Sequence, residues 1–420
     1  MHQIVMAGYG FLLLFILLRI LPAAEVGNWL IFISAISLCD MLMHGLLQTI
    51  VVKKITEIND APNRIKEIQS NAMLLSFLLV AFIAFIFISF RTLSSFFESD
   101  YLLMNNLTKW YPFLGICMAL YNISWWTNSA KSLFKIVFIQ RIIYCIVSFL
   151  IIGINYFLFN SIVFEVLVVS QLVAFAISAL YGCFVNKITF QFKYLQKNIL
   201  IEMLQYGKYT IGTMFGSSLL RNADVFMIAF FMNTTAVSIY TLAQKIIEIF
   251  EVVLRSIAVT TMPLLISLRE NTSLFTRKLL VRIGFVSFLF FPIITMVLFF
   301  SETIIAFFNT SIIYIESATI LRAFMVYVLL LPLDRLMGVA LEAANKPQLN
   351  LLKTCCIIAI NLIGNFIALY YLNSLVWVAF VSSIALISGI SFGIYCLIKY
   401  RIIDVSIYKT KIQVAKLKLQ

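Results

Sequence analysis

Long apolar runs separated by short polar stretches dominate the chain, and they predict helices that cross a membrane. About 20 apolar residues in a helix span the hydrocarbon core. Twelve runs qualify, at approximately 3–21, 29–52, 71–90, 110–130, 133–154, 162–184, 207–231, 236–268, 279–300, 318–343, 350–371 and 375–398. The expected fold is an all-α polytopic membrane protein of about twelve helices. An even number of spans places both termini on one side.

The run at 236–268 breaks the apolar pattern in an ordered way. Lys245, Glu248, Glu251 and Arg255 lie inside it. At about 100° per residue these four fall within roughly a third of the helix circumference. A charge at the bilayer centre costs roughly 2.5–3.5 kcal/mol on the mildest scale. The stripe therefore faces other helices or water. Two readings stay open, a buried ion-pair network that pins helices together and the wall of a polar translocation path.

Charge outside the spans fixes an expected orientation. The segments 53–70, 131–135, 186–208, 269–282 and 344–353 and the tail from Lys399 hold 22 of the 31 Lys and Arg residues. Cytoplasmic loops carry such an excess, so these segments and both termini are expected to be cytoplasmic. The balance of +13 is thereby largely explained without nucleic acid. The loop 53–70 and the segment 187–206 read as short interfacial helices, and the basic tail 399–420 as an anchor to anionic headgroups.

Composition narrows the function further. Hydrophobic residues make up 62%, charged residues 12%, and mean hydropathy is +1.02. No room remains for a soluble catalytic domain. The seven cysteines all fall in apolar runs without metal-ligand spacing or a pairing pattern. There is no Walker A loop, GxSxG elbow or HExxH motif. The largest external loop, about 91–109, is small for an enzyme acting on glycans outside the membrane.

A shift of 211 residues reveals a faint internal repeat. It lays Asp40 on Glu251, His44 on Arg255 and Ile152-Gly153 on Ile363-Gly364. Spans one to six then map onto seven to twelve as a parallel repeat. The expected organisation is a six-helix lobe at 1–185, a cytoplasmic interfacial linker at 186–206, a second six-helix lobe at 207–398 and the tail 399–420.

Leaving aside the basic segments and Arg19 at the edge of its span, fourteen Asp, Glu, Lys, Arg and His residues lie inside the predicted spans: six Lys or Arg, seven acids and one His. So many cations suit an anionic substrate. The planar, permanently charged guanidinium matches a phosphate. Arg141, Arg221, Arg255 and Arg322, with Lys245, are the candidate substrate contacts. Asp40, Glu165, Asp224, Glu248 and Glu251 are the candidate acids for ion coupling, with His44 titrating near neutrality. For each cation, simple neutralisation of a nearby acid is the competing role. Tyr121 and Asn122 are placed to stack on a sugar, whereas Trp125 and Trp126 read as interface anchors. Pro112, Pro263, Pro292 and Pro332 are expected to kink their helices.

These motifs carry a resemblance. Arg19…Glu25-Val-Gly27-Asn-Trp29…Asp40 resembles the first two spans of polysaccharide exporters of the Wzx (O-antigen flippase) type. Asp224…Tyr240-Thr-Leu-Ala243-Gln-Lys245…Pro263 resembles the matching stretch of their second half, and Asn345-Lys-Pro347 followed by Asn361 their tenth to eleventh spans. Leu42 stands where that family often has glycine. The resemblance implies the V-shaped, two-lobe bundle of the MATE-related MOP superfamily around a central cavity. It implies export of an undecaprenyl-diphosphate-linked oligosaccharide across the bacterial inner membrane, without a cofactor, coupling to H+ or Na+ being open. Implied partners are membrane lipids, a polysaccharide polymerase and a chain-length regulator. A MATE-like drug or metabolite antiporter and a membrane-embedded glycan polymerase or ligase remain the alternatives.

Overall fold

A computed structural model describes residues 2–57, 62–95, 102–186, 188 and 191–404. The described residues are helical apart from short turns. The helices are α1 (His2–Ile20), α2 (Ala23–Met43), α3 (Thr49–Glu57), α4 (Pro62–Ser95), α5 (Leu102–Ala130), α6 (Phe134–Phe159) and α7 (Phe164–Asn186), then α8 (Lys197–Phe231), α9 (Thr234–Ser267), α10 (Thr272–Phe308), α11 (Ile315–Ala343), α12 (Pro347–Tyr370) and α13 (Leu375–Lys399). A π-helical turn, His44–Gln48, joins α2 to α3 into one continuous helix. Among the described residues, nine helices are long and apolar enough to cross a membrane. The other three predicted spans coincide with α1, α5 and the last part of α8.

Helix boundaries follow local chemistry. Asn233 caps α9 by accepting from the Ala236 amide at 2.8 Å, and Asn271 caps α10 through the Leu274 amide at 3.0 Å. Asn160, with φ 49°, ends α6 in the left-handed conformation that asparagine tolerates. All four prolines lie inside helices, yet the one break in helical geometry recorded in α10 falls at Phe300 rather than at Pro292.

Contacts divide the chain into two units, Met1–Phe226 and Met227–Gln420. The boundary expected at 206/207 falls inside α8, which runs unbroken from Lys197 to Phe231. Among the described residues of the segment 187–206, a 3₁₀ turn, Phe192–Tyr194, precedes the first turns of α8, and in the loop 53–70 Ile65 and Ile68 belong to the first two turns of α4. Most of the tail, 405–420, lies outside the described residues.

The 211-residue repeat is carried by the helix ends. It takes Ile20, the end of α1, onto Phe231, the end of α8. It takes Ala23 onto Thr234 and Phe164 onto Leu375, the starts of α2 and α9 and of α7 and α13. Phe159 falls on Tyr370, the ends of α6 and α12. Packing repeats as well. In the first unit α5 packs against α2, α3, α4 and α7, and in the second α11 packs against α9, α10 and α13. This explains the modest hydropathy of α5. A helix shielded by its neighbours need not be lipophilic, and its Asn122, Ser124, Thr127 and Asn128 are all buried inside the unit.

The π turn is held by the first part of α8. A π turn shifts the backbone hydrogen-bond ladder by one residue. Thr210 donates its hydroxyl to the Gly45 carbonyl there. The backbones approach so closely that a Cβ on Gly45 would stand 2.8 Å from Ile211 Cα, and one on Gly207 would stand 2.5 Å from the Leu46 carbonyl oxygen. Backbone cannot yield as a flexible side-chain tip can. Gly45→Ala is therefore expected to lower stability by about 1–3 kcal/mol. Thermal unfolding of the purified variant in detergent measures the loss, and an unchanged melt would refute the close approach.

Candidate polar site in the first unit

Asp40 lies near the C-terminal end of α2, half-buried. Asn122 Nδ2, from α5, donates to its Oδ1 at 2.7 Å. His44 opens the π turn one helical step on. Its Nδ1 lies 3.0 Å from the Asp40 carbonyl oxygen and 3.4 Å from Oδ1. The acid and the titratable group four residues on are thus in contact, as their spacing suggests. His44 is buried, its ring 5.5 Å from that of Trp125 and 5.3 Å from that of Trp126.

Arg141 approaches from α6. Its guanidinium stacks on the Trp125 ring at 4.8 Å and lies within electrostatic reach of Asp40, His44 and Tyr121. Cation–π attraction holds the guanidinium over the ring without using its N–H groups, which stay available to a ligand. Three buried donors here lack a hydrogen-bond acceptor among the described residues: Arg141 Nε, Trp125 Nε1 and Trp126 Nε1. An unmade hydrogen bond in a buried place costs about 1–3 kcal/mol. A group of surplus donors beside a cation is what an acceptor-rich anion would satisfy.

The floor of the cluster is rigid. Gln140 Nε2 donates to Ser124 Oγ at 2.6 Å, and Ser178 donates to the Gln140 carbonyl at 2.6 Å. Tyr9, Tyr144, Ser148 and Gln171 form a second buried network, with Tyr9 and Ser148 hydroxyls 2.7 Å apart and Gln171 Nε2 donating to Tyr9 at 2.6 Å. These networks tie α1, α5, α6 and α7 behind Arg141. The indoles of Trp125 and Trp126 are therefore not interface anchors. Trp126 is fully buried, and both line the cluster because α5 is the shielded helix of the unit.

The other candidates are placed elsewhere. Glu165 is exposed in the first turn of α7. Asp224 is buried in α8 and has a partner, while the Arg221 side chain lies outside the described residues. In the second unit Lys245 Nζ donates to Glu248 Oε1 at 2.7 Å on its own helix. Arg255 Nε lies 3.5 Å from the Glu251 carbonyl oxygen. Arg322 pairs with Glu302 of α10 at 2.7 Å in a half-exposed position. Lys353, counted with the basic segment 344–353 but also inside the predicted span 350–371, is buried in α12 and bonds Asp334 of α11 at 2.7 Å, a pairing the sequence does not show. Among the described residues no cluster of His, Cys, Asp and Glu is arranged to hold a metal.

Known proteins agree with this architecture. The family model described as "Polysaccharide biosynthesis protein" matches residues 1–269, from α1 to the turn after α9. The chain belongs to this polysaccharide biosynthesis family. Beyond the family match, no curated protein matches the sequence. Solved structures extend the likeness over nearly the whole chain. The lipid II flippase MurJ, in an inward closed conformation, has a TM-score of 0.78 at 15% identity, covering 94% of this chain and 87% of its own. An inward-facing multidrug resistance MATE transporter of the MOP superfamily has a TM-score of 0.71 at 15% identity, covering 90% of each chain. A MOP superfamily transporter from Pyrococcus furiosus, described as having a binding pocket of reverse polarity, has a TM-score of 0.62 at 16% identity, covering 96% of this chain and 93% of its own. The fold is thus that of MOP superfamily transporters, and this member of the polysaccharide biosynthesis family is a multi-pass membrane protein.

Proposed function

We propose that the chain is a flippase for a lipid-linked oligosaccharide. It would move an undecaprenyl-diphosphate-linked repeat unit of O-antigen or a related surface polysaccharide from the inner to the outer leaflet of the bacterial inner membrane. Twelve spans with both termini cytoplasmic and alternating exposure of the site to the two faces complete the proposal. Family membership supports a glycan as the class of cargo. The observation that carries the reading is Arg141, a guanidinium over the Trp125 ring whose Nε, like the Trp125 indole N–H, has no acceptor among the described residues. A diphosphate supplies acceptors and negative charge, and a buried cation with open donors lowers the cost of taking it out of water.

Arg141 is the first phosphate contact in this proposal, with Arg255, Arg221, Lys245 and Arg322 as further cations along the path. Lys245 and Arg322 are the weaker members, because each already holds an acid at 2.7 Å. Asp40, bonded to Asn122 and His44, is the first choice for H+ or Na+ coupling. Asp224, Glu248 and Glu251 follow, and Glu165 stands last on account of its exposed position. The flipped unit would then pass to a polymerase working under a chain-length regulator.

Deletion of the gene tests the proposal. Surface polysaccharide should be lost, with the lipid-linked unit accumulating on the cytoplasmic leaflet. Normal polysaccharide together with hypersensitivity to cationic drugs would overturn it in favour of a MATE-like antiporter.

A further inference from the structure

The second unit carries a cleft lined by none of these charges. It is bounded by the first turns of α10, the end of α13 and Met337 of α11, and offers about 170 Å³ to the centres of water-sized spheres. Ile283, Met337, Ile394 and Leu397 line it, and Thr276 and Asp404 are the polar members of the lining. Thr276 accepts from the Asp404 amide at 2.8 Å, so the chain leaving α13 is tied back across the start of α10 and closes one end.

Cations surround this apolar cleft. Arg277 follows Thr276 and Arg282 precedes Ile283, flanking the lining stripe of α10 on both sides. Lys399 follows Ile398 on α13, and Arg401 stands two residues before Ile403, both of which also line the cleft. Arg277, Lys399 and Arg401 are exposed and Arg282 is half-exposed. Lys346 lies 5.3 Å over the Tyr400 ring and Lys399 5.2 Å over the Tyr395 ring. Tyrosine with lysine marks the headgroup level of a membrane protein. Asp404 and Glu270 are the nearby acids, outnumbered by the cations. An apolar slot edged by cations matches a lipid with a negative head and a fatty tail.

We infer that this cleft is a binding site for an anionic bilayer phospholipid, with one acyl chain along Ile283, Met337 and Leu397 and the phosphate at Arg277, Arg282 and Lys399. The site serves a resident lipid, not the transported cargo, and it stands whether the chain moves a glycan or a drug.

Native mass spectrometry of the full chain in detergent tests this. Phosphatidylglycerol and phosphatidylcholine with identical acyl chains are titrated separately. The anionic lipid should be retained about tenfold better, and this preference should vanish in R277Q/R282Q/K399Q. Arg277 and Lys399 are exposed and Arg282 is half-exposed, so the triple variant should keep its fold, which its melting temperature checks. Ile394→Trp, at a half-exposed wall position, should reduce retention of phosphatidylglycerol by filling the slot. Equal retention of the two lipids, or a preference unchanged in the triple variant, overturns the site. Displacement of phosphatidylglycerol by an equal amount of undecaprenyl phosphate also overturns it, by assigning the cleft to the carrier lipid.

Discussion

Arg141→Gln should reduce export of the lipid-linked unit by about tenfold to a hundredfold while the amount of protein in the membrane stays near wild type. The magnitude follows from hydrogen bonds to charged groups, worth about 1.5–3 kcal/mol each, at about 1.4 kcal/mol per tenfold change. Arg141→Lys should keep part of the activity, since it retains the charge but loses the planar fork and the stack on Trp125. Trp125→Phe should cost less, because it keeps a ring beneath the guanidinium and removes only the indole N–H. Surface polysaccharide, normalised to protein quantified from purified membranes, provides the measurement. The competing role for Arg141 is simple neutralisation of Asp40. On that account D40N/R141Q would recover export, because neither charge would remain to be compensated. On ours the double variant stays defective, since the cation, its own surplus donor and the carboxylate assigned to coupling are all gone. Recovery in the double variant would sink the phosphate contact.

Different parts of this architecture were legible in the sequence for different physical reasons. Helices and their order follow from hydropathy, because lipid rewards an uninterrupted apolar surface and leaves no other way to pair the backbone. The repeat was faint in residue identities yet strong in helix ends, with four boundaries carried onto their counterparts by the same 211-residue shift. Contacts within one helix were also legible. Asp40 with His44 and Lys245 with Glu248 meet because a helix brings residues three or four apart to one face. Contacts between helices were not. Arg322 finds Glu302 and Lys353 finds Asp334 across neighbouring helices, and no periodicity encodes which rows face one another. The π turn was hidden too. Gly45 marks it in hindsight, but the turn depends on Thr210 and Ile211 arriving from α8. Trp125 and Trp126 misled for the opposite reason. Their composition fits an interface, and only the shielded position of α5 turns them into the wall of a polar site.

Breaking the buried pair in the second unit should have the largest effect on stability of any single change. Lys353 is 3% exposed and Asp334 17%, and Lys353 Nζ donates both to Asp334 Oδ1 at 2.7 Å and to its carbonyl at 2.9 Å. α13 passes alongside this pair. A Cβ on Gly393 would lie 3.5 Å from Lys353 Cδ, and one on Gly389 3.5 Å from Asp334 Oδ1. The two glycines, four residues apart, let α13 close over α11 and α12 as small residues do between membrane helices. Lys353→Met leaves the Asp334 carboxylate without its cation, and Asp334→Ala strands the ammonium. Each should cost about 3–5 kcal/mol, because desolvation of the remaining charge is no longer offset. The double variant D334A/K353M carries no buried charge and should regain most of that loss. Thermal unfolding of the four proteins in the same detergent closes the cycle. A double variant no more stable than the single ones would show that the pair stabilises nothing and that the packing of α11 on α12 alone was disturbed. The contrast with Arg141 separates architecture from transport. Loss of Lys353 should lower export in proportion to the folded protein remaining, whereas loss of Arg141 should lower it with the protein intact.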